Sequence, residues 1–369
     1  MHRYKKYPVL EVNLEAIRNN ARVMREYCMA RGVSIAGVVK VSDGDLRVAR
    51  ALYEGGCTQL AASRIVHLKQ IKQALPQVEA MLIRIPMPSE AAEVVRDCDI
   101  SLNSEADTLR ALNSTAGRLG KVHGVVLMLD VGDLREGVTS EESLLPLALL
   151  VERALPNLRL MGIGTTYACF GGLMPTQENL GTLAHAVKRV EEAIGRKLGI
   201  VSGGSSINLT LLANGGGMPP EITHLRLGGS IINPVSIRRN RNVAIPGIRE
   251  DTFTLTAELV EVAVKPSRPS GTQGRNWAGD VVDFPDLGLR RRAILALGSQ
   301  DVGDARKLIP RDVGVRVVGN SSDHTILDIT DSGKDWRPGD KVSFGLYYMP
   351  LLYAFATRHV AIHYLREES

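Results

Sequence analysis

The amino-acid sequence predicts an α/β fold, a (β/α)8 barrel of the TIM type followed by a C-terminal, mostly β domain. Between residues 34 and 227, about eight short apolar segments alternate with helical or turn segments, a pattern typical of parallel strands joined by crossovers. The Ser- and Gly-rich turn at 202–206 follows the seventh predicted strand rather than the first. That position favours a closed barrel over a doubly wound open sheet, which is the alternative.

The elements of the barrel follow in chain order from their apolar patterns. A short strand is predicted at 8–13, and Asn13 can cap the helix at 14–31 because its side chain can accept from a first-turn N–H. The barrel strands are predicted at 34–41, 59–63, 80–86, 99–102, 122–131, 158–167, 199–201 and 224–227. The helices between them are predicted at 46–53, 65–75, 90–96, 104–116 (capped by Ser104), 144–154, 177–194 and 209–213, with a glycine break at 215–217.

The pattern changes after Pro234 to the alternation of antiparallel strands. Strands are predicted there at 253–262, 292–297, 313–318, 325–329, 341–344 and 359–364. A Gly-, Pro- and Ser-rich stretch at 265–288 predicts a long loop that can serve function. We therefore expect two domains, a barrel at 1–235 and a β domain at 236–369, with 8–13 as a candidate to pair with the β domain.

Composition excludes several classes of function. The net charge is +5, but only 4% of the residues are aromatic, so nucleic-acid binding is not expected. The four cysteines lack paired spacing, which predicts a reduced, cytoplasmic protein without a disulfide framework or zinc site. The longest apolar run, 144–151, is too short to span a membrane, and the N-terminus lacks the apolar core of an export signal. The excess of positive charge lies in three clusters, at 2–6, 238–241 and 290–292.

Lys40 lies near the end of the first barrel strand, in an apolar run. Burying an ammonium in apolar surroundings is unfavourable. The cost disappears if the amine is neutral and covalently engaged, as in a Schiff base. The alternative is a lysine whose stem follows the strand and whose amine reaches solvent. The residues at the other strand ends favour the first interpretation.

Polar and glycine residues follow four later strands. They are found at 130–137, 165–167, 202–206 and 226–230. Because the carboxyl ends of barrel strands meet on one face, these residues are expected to share that face with Lys40. Backbone amides exposed by glycines, together with serine hydroxyls at a helix N-terminus, form a phosphate cradle. A lysine, two arginines and a phosphate cradle on one face are a more specific set than any one of them.

With these motifs the chain resembles the alanine racemase family, the fold type III pyridoxal-phosphate enzymes, and within it the ornithine racemase branch. The resemblance covers nearly the whole chain and is strongest at 38–40, 62–65, 82–87, 99–105, 130–137, 201–206, 225–229, 292–298 and 321–324. It implies a (β/α)8 barrel with a C-terminal β domain, acting as a head-to-tail homodimer. It also implies pyridoxal 5'-phosphate as the cofactor and an amino acid as the small-molecule substrate.

The resemblance implies a role for each matching residue. Lys40 binds the cofactor aldehyde and then acts as a general base at Cα. Arg226 faces the pyridine nitrogen, which stays unprotonated because an arginine hardly gives up a proton, and this favours racemisation over side reactions. Arg135 lies near the cofactor's phenolic oxygen and the substrate carboxylate. The cofactor's phosphate and ring are implied at Thr166, Ser205 or Ser206, Gly228, Gly229 and Tyr348.

The second proton carrier departs from the family pattern. The family places a tyrosine of the partner subunit there, but no tyrosine occurs at 265–288, and Thr166 stands where many members carry a histidine. Ser322 and Asp323 match a pair that approaches the site from the partner subunit. The candidates for the second base are Asp323, His324, Cys169 and Tyr167.

We therefore expect a racemase of a basic amino acid, with ornithine first and lysine, arginine, alanine or serine as alternatives. A pyridoxal-phosphate-binding protein without activity is another alternative. Ser322 argues against a decarboxylase, since decarboxylases of this fold carry a cysteine there, and no metal is expected because His359 and His363 have no cysteine beside them. Candidates to pair with the distal amine of a basic substrate are Asp283, Asp286 and Asp301.

Overall fold

The computed structural model describes residues 7–214 and 216–365. They divide into two compact units, a barrel unit at Glu15–Arg249 and a sheet unit formed by 7–14 with 250–365. Residues 236–249 thus group with the barrel, whereas the sequence placed the boundary after residue 235. The basic cluster at 2–6 and the first glycine of the predicted 215–217 break lie outside the described residues.

The barrel unit contains a closed barrel of parallel strands, as predicted, and the open-sheet alternative is wrong. The last barrel strand pairs with the first, Ala36 opposite Arg226, which closes the ring. The chain begins with strand β1 (Val9–Val12) and helix α1 (Leu14–Met29). The barrel strands are β2 (Ser34–Val38), β3 (Gln59–Ala62), β4 (Glu79–Leu82), β5 (Ile100–Asn103), β6 (His123–Met128), β7 (Leu158–Gly164), β8 (Ile200–Ser205) and β9 (His224–Leu227).

Helices connect the barrel strands. Their bounds are α2 (Leu46–Glu54), α3 (Ile65–Ala74), α4 (Ala91–Asp97), α5 (Ala106–Arg118), α6 (Glu141–Ala154), α7 (Gln177–Ile194), α8 (Leu209–Ala213), α9 (Gly229–Ile232) and α10 (Pro234–Arg241). Helix α6 begins earlier than predicted because Ser140 caps it, accepting from the N–H of Ser143 at 3.3 Å. Helix α5 begins after Glu105, so the expected cap at Ser104 is wrong.

The barrel interior is filled by side chains that alternate along the strands. These inward residues are small or aliphatic and almost fully buried, so their removal from water stabilises the barrel. The interior cluster consists of Ala36, Val38, Ala61, Met81, Ile100, Leu102, Val126, Met128 and Ile200.

Two strand ends differ from the prediction. Strand β2 ends at Val38, and Lys40 begins a 3₁₀ turn, Lys40–Ser42, so Lys40 lies just beyond the strand rather than in it. The hydroxyl of Ser42 donates to the carbonyl of Val39 at 3.0 Å and helps to hold that turn. The second difference is at the end of β8, which continues to Ser205, so most of the predicted turn at 202–206 is strand.

The sheet unit is a mostly antiparallel sheet. Strand β1 pairs with its longest strand in antiparallel register, Val9 opposite Thr256. The remaining elements are β10 (Phe253–Pro266), β11 (Leu289–Leu295), α11 (Ser299–Val302), β12 (Leu308–Pro310), β13 (Arg316–Asn320), β14 (Thr325–Asp328), β15 (Lys341–Leu346), α12 (Tyr348–Ala356) and β16 (Ala361–Tyr364). The loop at 267–288 contains neither helix nor strand. Across the described residues, every helix is too short or too polar to cross a membrane.

Candidate active site

The carboxyl ends of the barrel strands bring together the two arginines predicted from sequence. Arg226 is buried at the end of β9 and donates from Nη2 to the carbonyl of Thr165 at 2.8 Å and to Oγ1 of Thr166 at 3.2 Å. Its Nη1 donates to the hydroxyl of Ser202. Arg135, on the loop after β6, donates from Nη2 to the same Oγ1 of Thr166 at 3.3 Å. Thr166 therefore joins both guanidinium groups.

Glu136 completes this cluster with the one negative charge. Its carboxylate accepts from Nε and Nη2 of Arg135 and, at 3.2 Å, from the hydroxyl of Thr166. The Thr166 hydroxyl thus accepts from two arginines and donates to one carboxylate, which uses its full hydrogen-bonding capacity. Sequence reasoning did not single out Glu136, although it lies in the 130–137 motif directly after Arg135.

Asp133 holds the loop that carries Arg135. It is 1% exposed, and its carboxylate accepts from the backbone N–H groups of Cys169, Phe170 and Leu173 at 3.0–3.1 Å. Burial alone raises the pKa of this carboxyl, but the three N–H donors and the charge of Arg135 outweigh it and hold the pKa below its ordinary value. Asp133 therefore ties the loop after β6 to the loop after β7.

The amine of Lys40 lies within the field of these charges. The residue is exposed at the barrel end, yet desolvation by the surrounding atoms is the largest effect and lowers the pKa of Lys40. Arg135 and Arg226 lower this pKa further, whereas Cys169 and Glu136 raise it. A lowered pKa increases the neutral fraction of the amine near neutral pH, and only the neutral amine can accept a proton.

Burial also acts on Arg226. Burial is the largest effect and lowers the pKa of Arg226 to about 10. Glu136 and Cys169 raise this pKa, whereas repulsion from Arg135 lowers it further. A guanidinium with that pKa still carries its charge at neutral pH. Arg226 therefore presents a fixed positive charge and N–H donors at the end of β9.

The turns after β8 and β9 lie side by side. The hydroxyl of Ser206 donates to Oγ of Ser230 at 3.0 Å and accepts from the N–H of Ser230 at 3.1 Å. A Cβ at Gly228 would lie 2.9 Å from the carbonyl oxygen of Val38, so the backbone there requires glycine. A Cβ at Gly229 would meet no atom of the described residues within 4 Å. Space therefore remains beside the amide of Gly229.

A buried hydroxyl next to these turns lacks a partner. Tyr167 is 1% exposed, and its hydroxyl has no hydrogen-bond partner among the described residues. A Cβ at Gly204 would lie 3.1 Å from Cδ2 of this ring, so Tyr167 borders the predicted cradle. Burial raises the pKa of Tyr167, so its hydroxyl stays protonated and able to donate.

Ser205, another residue of the predicted cradle, donates its backbone N–H to Oδ1 of Asn208 at 3.1 Å.

Other predicted site residues belong to the sheet unit. Asp323 and His324 are exposed in the turn between β13 and β14, where Asp323 accepts from the side chains of Gln300 at 2.9 Å and Ser322 at 2.7 Å. Tyr348 is the first residue of α12. Their roles remain predictions, as does that of Cys169, which is exposed on the loop after β7.

The three carboxylates suggested for a distal amine have different surroundings. Asp283 and Asp286 are exposed in the 267–288 loop. Asp301 is buried, and its carboxylate accepts from the N–H of Gly298 at 2.9 Å. In the described parts of the chain, no group of three or more His, Cys, Asp or Glu side chains is arranged to hold a metal ion.

Solved structures first define the class of fold. An alanine racemase from a D-cycloserine-producing Streptomyces lavendulae matches 99% of this chain and 98% of its own, with a TM-score of 0.73 and 19% identity. A D-threonine aldolase from Filomicrobium marinum matches 95% of this chain and 88% of its own, with a TM-score of 0.71 and 15% identity. At such identities the likeness concerns the fold, a barrel with a C-terminal β domain.

Sequence comparison then gives the family. Residues 12–232 match the family model described as "Alanine racemase, N-terminal domain", and the chain belongs to this family. It is 39% identical to a lysine racemase of Thermotoga maritima, over 96% of this chain and 97% of that protein. It is 36% identical to an ornithine racemase of Acetoanaerobium sticklandii, over 96% of this chain and 98% of that protein. These relatives support the class of amino-acid racemase, an isomerase, and confirm the resemblance to this family.

Proposed function

We propose that this protein is a pyridoxal-phosphate-dependent racemase of a basic amino acid, with ornithine and lysine as the two leading substrates. The observation that carries the proposal is Lys40, an amine with a lowered pKa at the barrel end, beside the charges of Arg226 and Arg135. The two relatives named above support both substrates to a similar degree.

The donor set suits pyridoxal phosphate. Lys40 offers an amine for the aldehyde, and Arg226 offers a charged N–H donor for the ring nitrogen. The hydroxyl of Ser206 and the space beside Gly229 suit a phosphate, and the unpartnered hydroxyl of Tyr167 borders them. We propose Ser205, Gly228 and Tyr348 as further phosphate contacts.

The cofactor, when bound, supplies an electron sink for the electrons left at Cα after proton removal. In its neutral form, Lys40 removes or returns the Cα proton on one face of the substrate, and its lowered pKa keeps that form available. Arg135 binds the substrate carboxylate, and Thr166 and Glu136 fix the direction of its guanidinium through the contacts described above. Arg226 keeps its proton and so leaves the ring nitrogen unprotonated.

The opposite face of the substrate needs a second proton carrier. We propose that the protein acts in the cytoplasm as a head-to-tail homodimer in which Asp323 or His324 of one subunit reaches the site of the other. Cys169 and Tyr167 are the candidates from the same chain. A racemase needs one group on each face, since one base alone returns the proton to the face it left.

A chiral assay tests the proposal. The protein, supplied with pyridoxal phosphate, is incubated with L-ornithine, L-lysine, L-arginine, L-alanine and L-serine, and both enantiomers are measured. We expect racemisation of ornithine or lysine at the highest kcat/KM, at unchanged mass, and loss of activity in Lys40→Ala. The exposed Lys188→Ala is the control and keeps its activity. Loss of carbon dioxide, or full activity in Lys40→Ala, contradicts the proposal.

The absence of a tyrosine at 265–288 favours one other function, a protein that binds the cofactor but lacks a second base. Such a protein exchanges the Cα proton with solvent deuterium and keeps the configuration. Deuterium incorporation without the opposite enantiomer would therefore select this second function over the first.

A further inference from the structure

A chain of polar side chains, buried except at its far end, runs through the barrel from Arg226. Ser202 accepts from Nη1 of Arg226, and its hydroxyl lies 3.0 Å from Nδ1 of His224. Nε2 of His224 lies 2.8 Å from Oε1 of Gln59, and Nε2 of Gln59 donates to the carboxylate of Glu79 at 2.6 Å. The chain connects the site at the carboxyl ends of the strands with Glu79, the first residue of β4.

The carboxylate end of this chain fixes the direction of every hydrogen bond. The Glu79 carboxylate accepts from the Gln59 amide, which leaves the Gln59 oxygen as the acceptor toward His224. Nε2 of His224 must then carry the ring proton and donate to Gln59. In a neutral ring Nδ1 is then an acceptor, so the Ser202 hydroxyl donates to it. The Ser202 oxygen has lone pairs left to accept from Arg226, so the arginine end is compatible with this tautomer.

The middle of the chain carries no charge. Ser202, His224 and Gln59 are 0%, 3% and 8% exposed. Burial, with a smaller effect from Arg226, lowers the pKa of His224 to about 3, so His224 stays neutral at any working pH. Among the described residues, the hydrogen bonds of Arg226 go to two hydroxyls and a carbonyl. The guanidinium is held in place by neutral acceptors that leave its charge intact.

We infer that His224, fixed in its Nε2–H form by Gln59, is a positioning residue that orients Ser202 and thereby holds Arg226 toward the cofactor ring. The inference rests on the proposed function, because it assigns Arg226 to the ring nitrogen. A buried cation without oriented acceptors would turn or draw in water, and the ring nitrogen would then face a less defined donor. No sequence motif points to His224, because its hydrogen-bond partners lie on two other strands, β3 and β8.

A second buried His–Ser pair in the same barrel, His123 and Ser101, provides a matched control. His123 on β6 is 2% exposed, and its Nε2 lies 2.8 Å from the hydroxyl of Ser101. Its Nδ1 has no partner among the described residues, so this pair does not extend to Arg226. Burial lowers the pKa of His123 to about 4. His123 and Ser101 thus match His224 and Ser202 in burial and chemistry but differ in connection.

The first experiment determines the tautomer without any cofactor. Nitrogen-15 NMR of histidine-labelled protein is recorded with and without His224→Leu to assign the His224 signals. We expect a neutral ring protonated at Nε2 between about pH 5 and 9, in keeping with its burial. Protonation at Nδ1, or titration of the ring in that range, overturns the inference.

The second experiment uses the holoenzyme and five variants. We expect His224→Leu and Ser202→Ala to lose about 10- to 100-fold in kcat, as when a charge-assisted hydrogen bond is removed, and to change the pH dependence of the bound cofactor's absorbance. His224→Asn, which retains an acceptor near the Nδ1 position, should recover part of the loss. His123→Leu and Ser101→Ala should lower the thermal unfolding temperature to a similar extent but leave kcat and absorbance unchanged.

The outcomes separate this inference from the proposed function. If the holoenzyme racemises its substrate and His224→Leu and Ser202→Ala behave like the His123 and Ser101 variants, the inference is wrong and the proposed function stands. If the protein binds no cofactor at Lys40, the proposed function fails, and the assignment of His224 to a cofactor site fails with it whatever its tautomer.

Discussion

The amine of Lys40 lies among charges of both signs, and these charges decide at which pH it can act as a base. Burial has the largest effect and, with Arg135 and Arg226, favours the neutral amine, whereas Cys169 and Glu136 favour the ammonium. The balance depends on side chains from three different parts of the barrel, because Arg135 and Glu136 follow β6, Cys169 follows β7 and Arg226 lies on β9. A change at Glu136 therefore tests the electrostatics without touching Lys40.

Glu136→Gln removes the carboxylate and keeps its shape. Since Glu136 raises the pKa of Lys40, its loss should lower that pKa further. The neutral base then persists to lower pH in the enzyme–substrate complex, where the substrate amine has released Lys40, so we expect the acidic limb of kcat against pH to move to lower pH. The control is Glu152→Gln, which removes a partner of Arg196 at 2.7 Å and should leave the limb in place. An acidic limb that stays at the same pH, or moves to higher pH, in Glu136→Gln would contradict this effect of Glu136 on Lys40.

A second prediction about a single residue concerns the contribution of Asp133 to stability. Asp133→Asn weakens three hydrogen bonds to backbone N–H groups, and we expect the free energy of unfolding to fall by about 1–3 kcal/mol. Because the folded-state pKa of Asp133 is lowered, its stabilisation is present above about pH 4, the ordinary pKa, and is lost as pH falls through the lowered pKa. Urea unfolding at a series of pH values measures both effects.

The exposed Asp107→Asn, which removes a surface partner of Arg110, is the control for Asp133→Asn. We expect it to change stability by less than about 0.5 kcal/mol. A difference between wild type and Asp133→Asn that persists unchanged at acid pH would show that the stabilising form of Asp133 is not the carboxylate.

The sequence was sufficient to predict Arg135, Thr166 and Arg226 as neighbours, because motifs at the ends of barrel strands meet on one face. It was not sufficient to predict that the Thr166 hydroxyl joins the two arginines. A hydrogen bond between loops depends on side-chain positions that motif spacing does not fix. Glu136 was overlooked for the same reason, since its partners are visible only in three dimensions.

At the scale of elements, the approach of β9 to β2 depends on a glycine. We expect Gly228→Ala to lower the free energy of unfolding by about 1–3 kcal/mol, because its Cβ would lie 2.9 Å from the carbonyl oxygen of Val38. Gly229→Ala should keep stability, since nothing described lies within 4 Å of its Cβ, but should weaken cofactor binding. Chemical unfolding without cofactor and a cofactor titration measure the two effects. Equal stability of the two variants contradicts this interpretation.

Apolar periodicity predicted long helices and buried strands well, and α7 and α8 have the predicted bounds. It failed where tertiary packing or a cap determines whether an element forms or where it begins and ends. Helix α10 was missed because its sequence is polar, although Pro234 at its start and arginines in its last turn favour a helix. Lys40 was placed in a strand because its apolar neighbours continue past Val38, where the chain turns.

At the scale of the whole molecule, alternating strands and helices predicted the closed barrel, and the period-two pattern predicted the β domain. The pairing of β1 with β10 joins residues far apart in sequence, which a local pattern indicates only as a candidate. Assembly was expected from the family resemblance alone. We propose the head-to-tail dimer because the second proton carrier is then supplied by the partner.

Subunit mixing tests that proposal. The Lys40→Ala protein and the Asp323→Ala/His324→Ala protein are each expected to be inactive, and a hybrid dimer carries both lesions in one site and neither in the other. Random assembly of equal amounts should restore about one quarter of wild-type activity, since half of the dimers are hybrid and half of their sites intact. Co-expression with two affinity tags and a racemisation assay measure this. An active Asp323→Ala/His324→Ala protein, or hybrids without activity, contradicts the shared site.

The proposed function depends most of all on a covalent link between Lys40 and the cofactor aldehyde. Borohydride reduction of the holoenzyme, followed by peptide mapping by mass spectrometry, tests this link directly. We predict that the reduced cofactor is attached to the peptide containing Lys40. Attachment to a different lysine, or none at all after incubation with pyridoxal phosphate, would contradict the account.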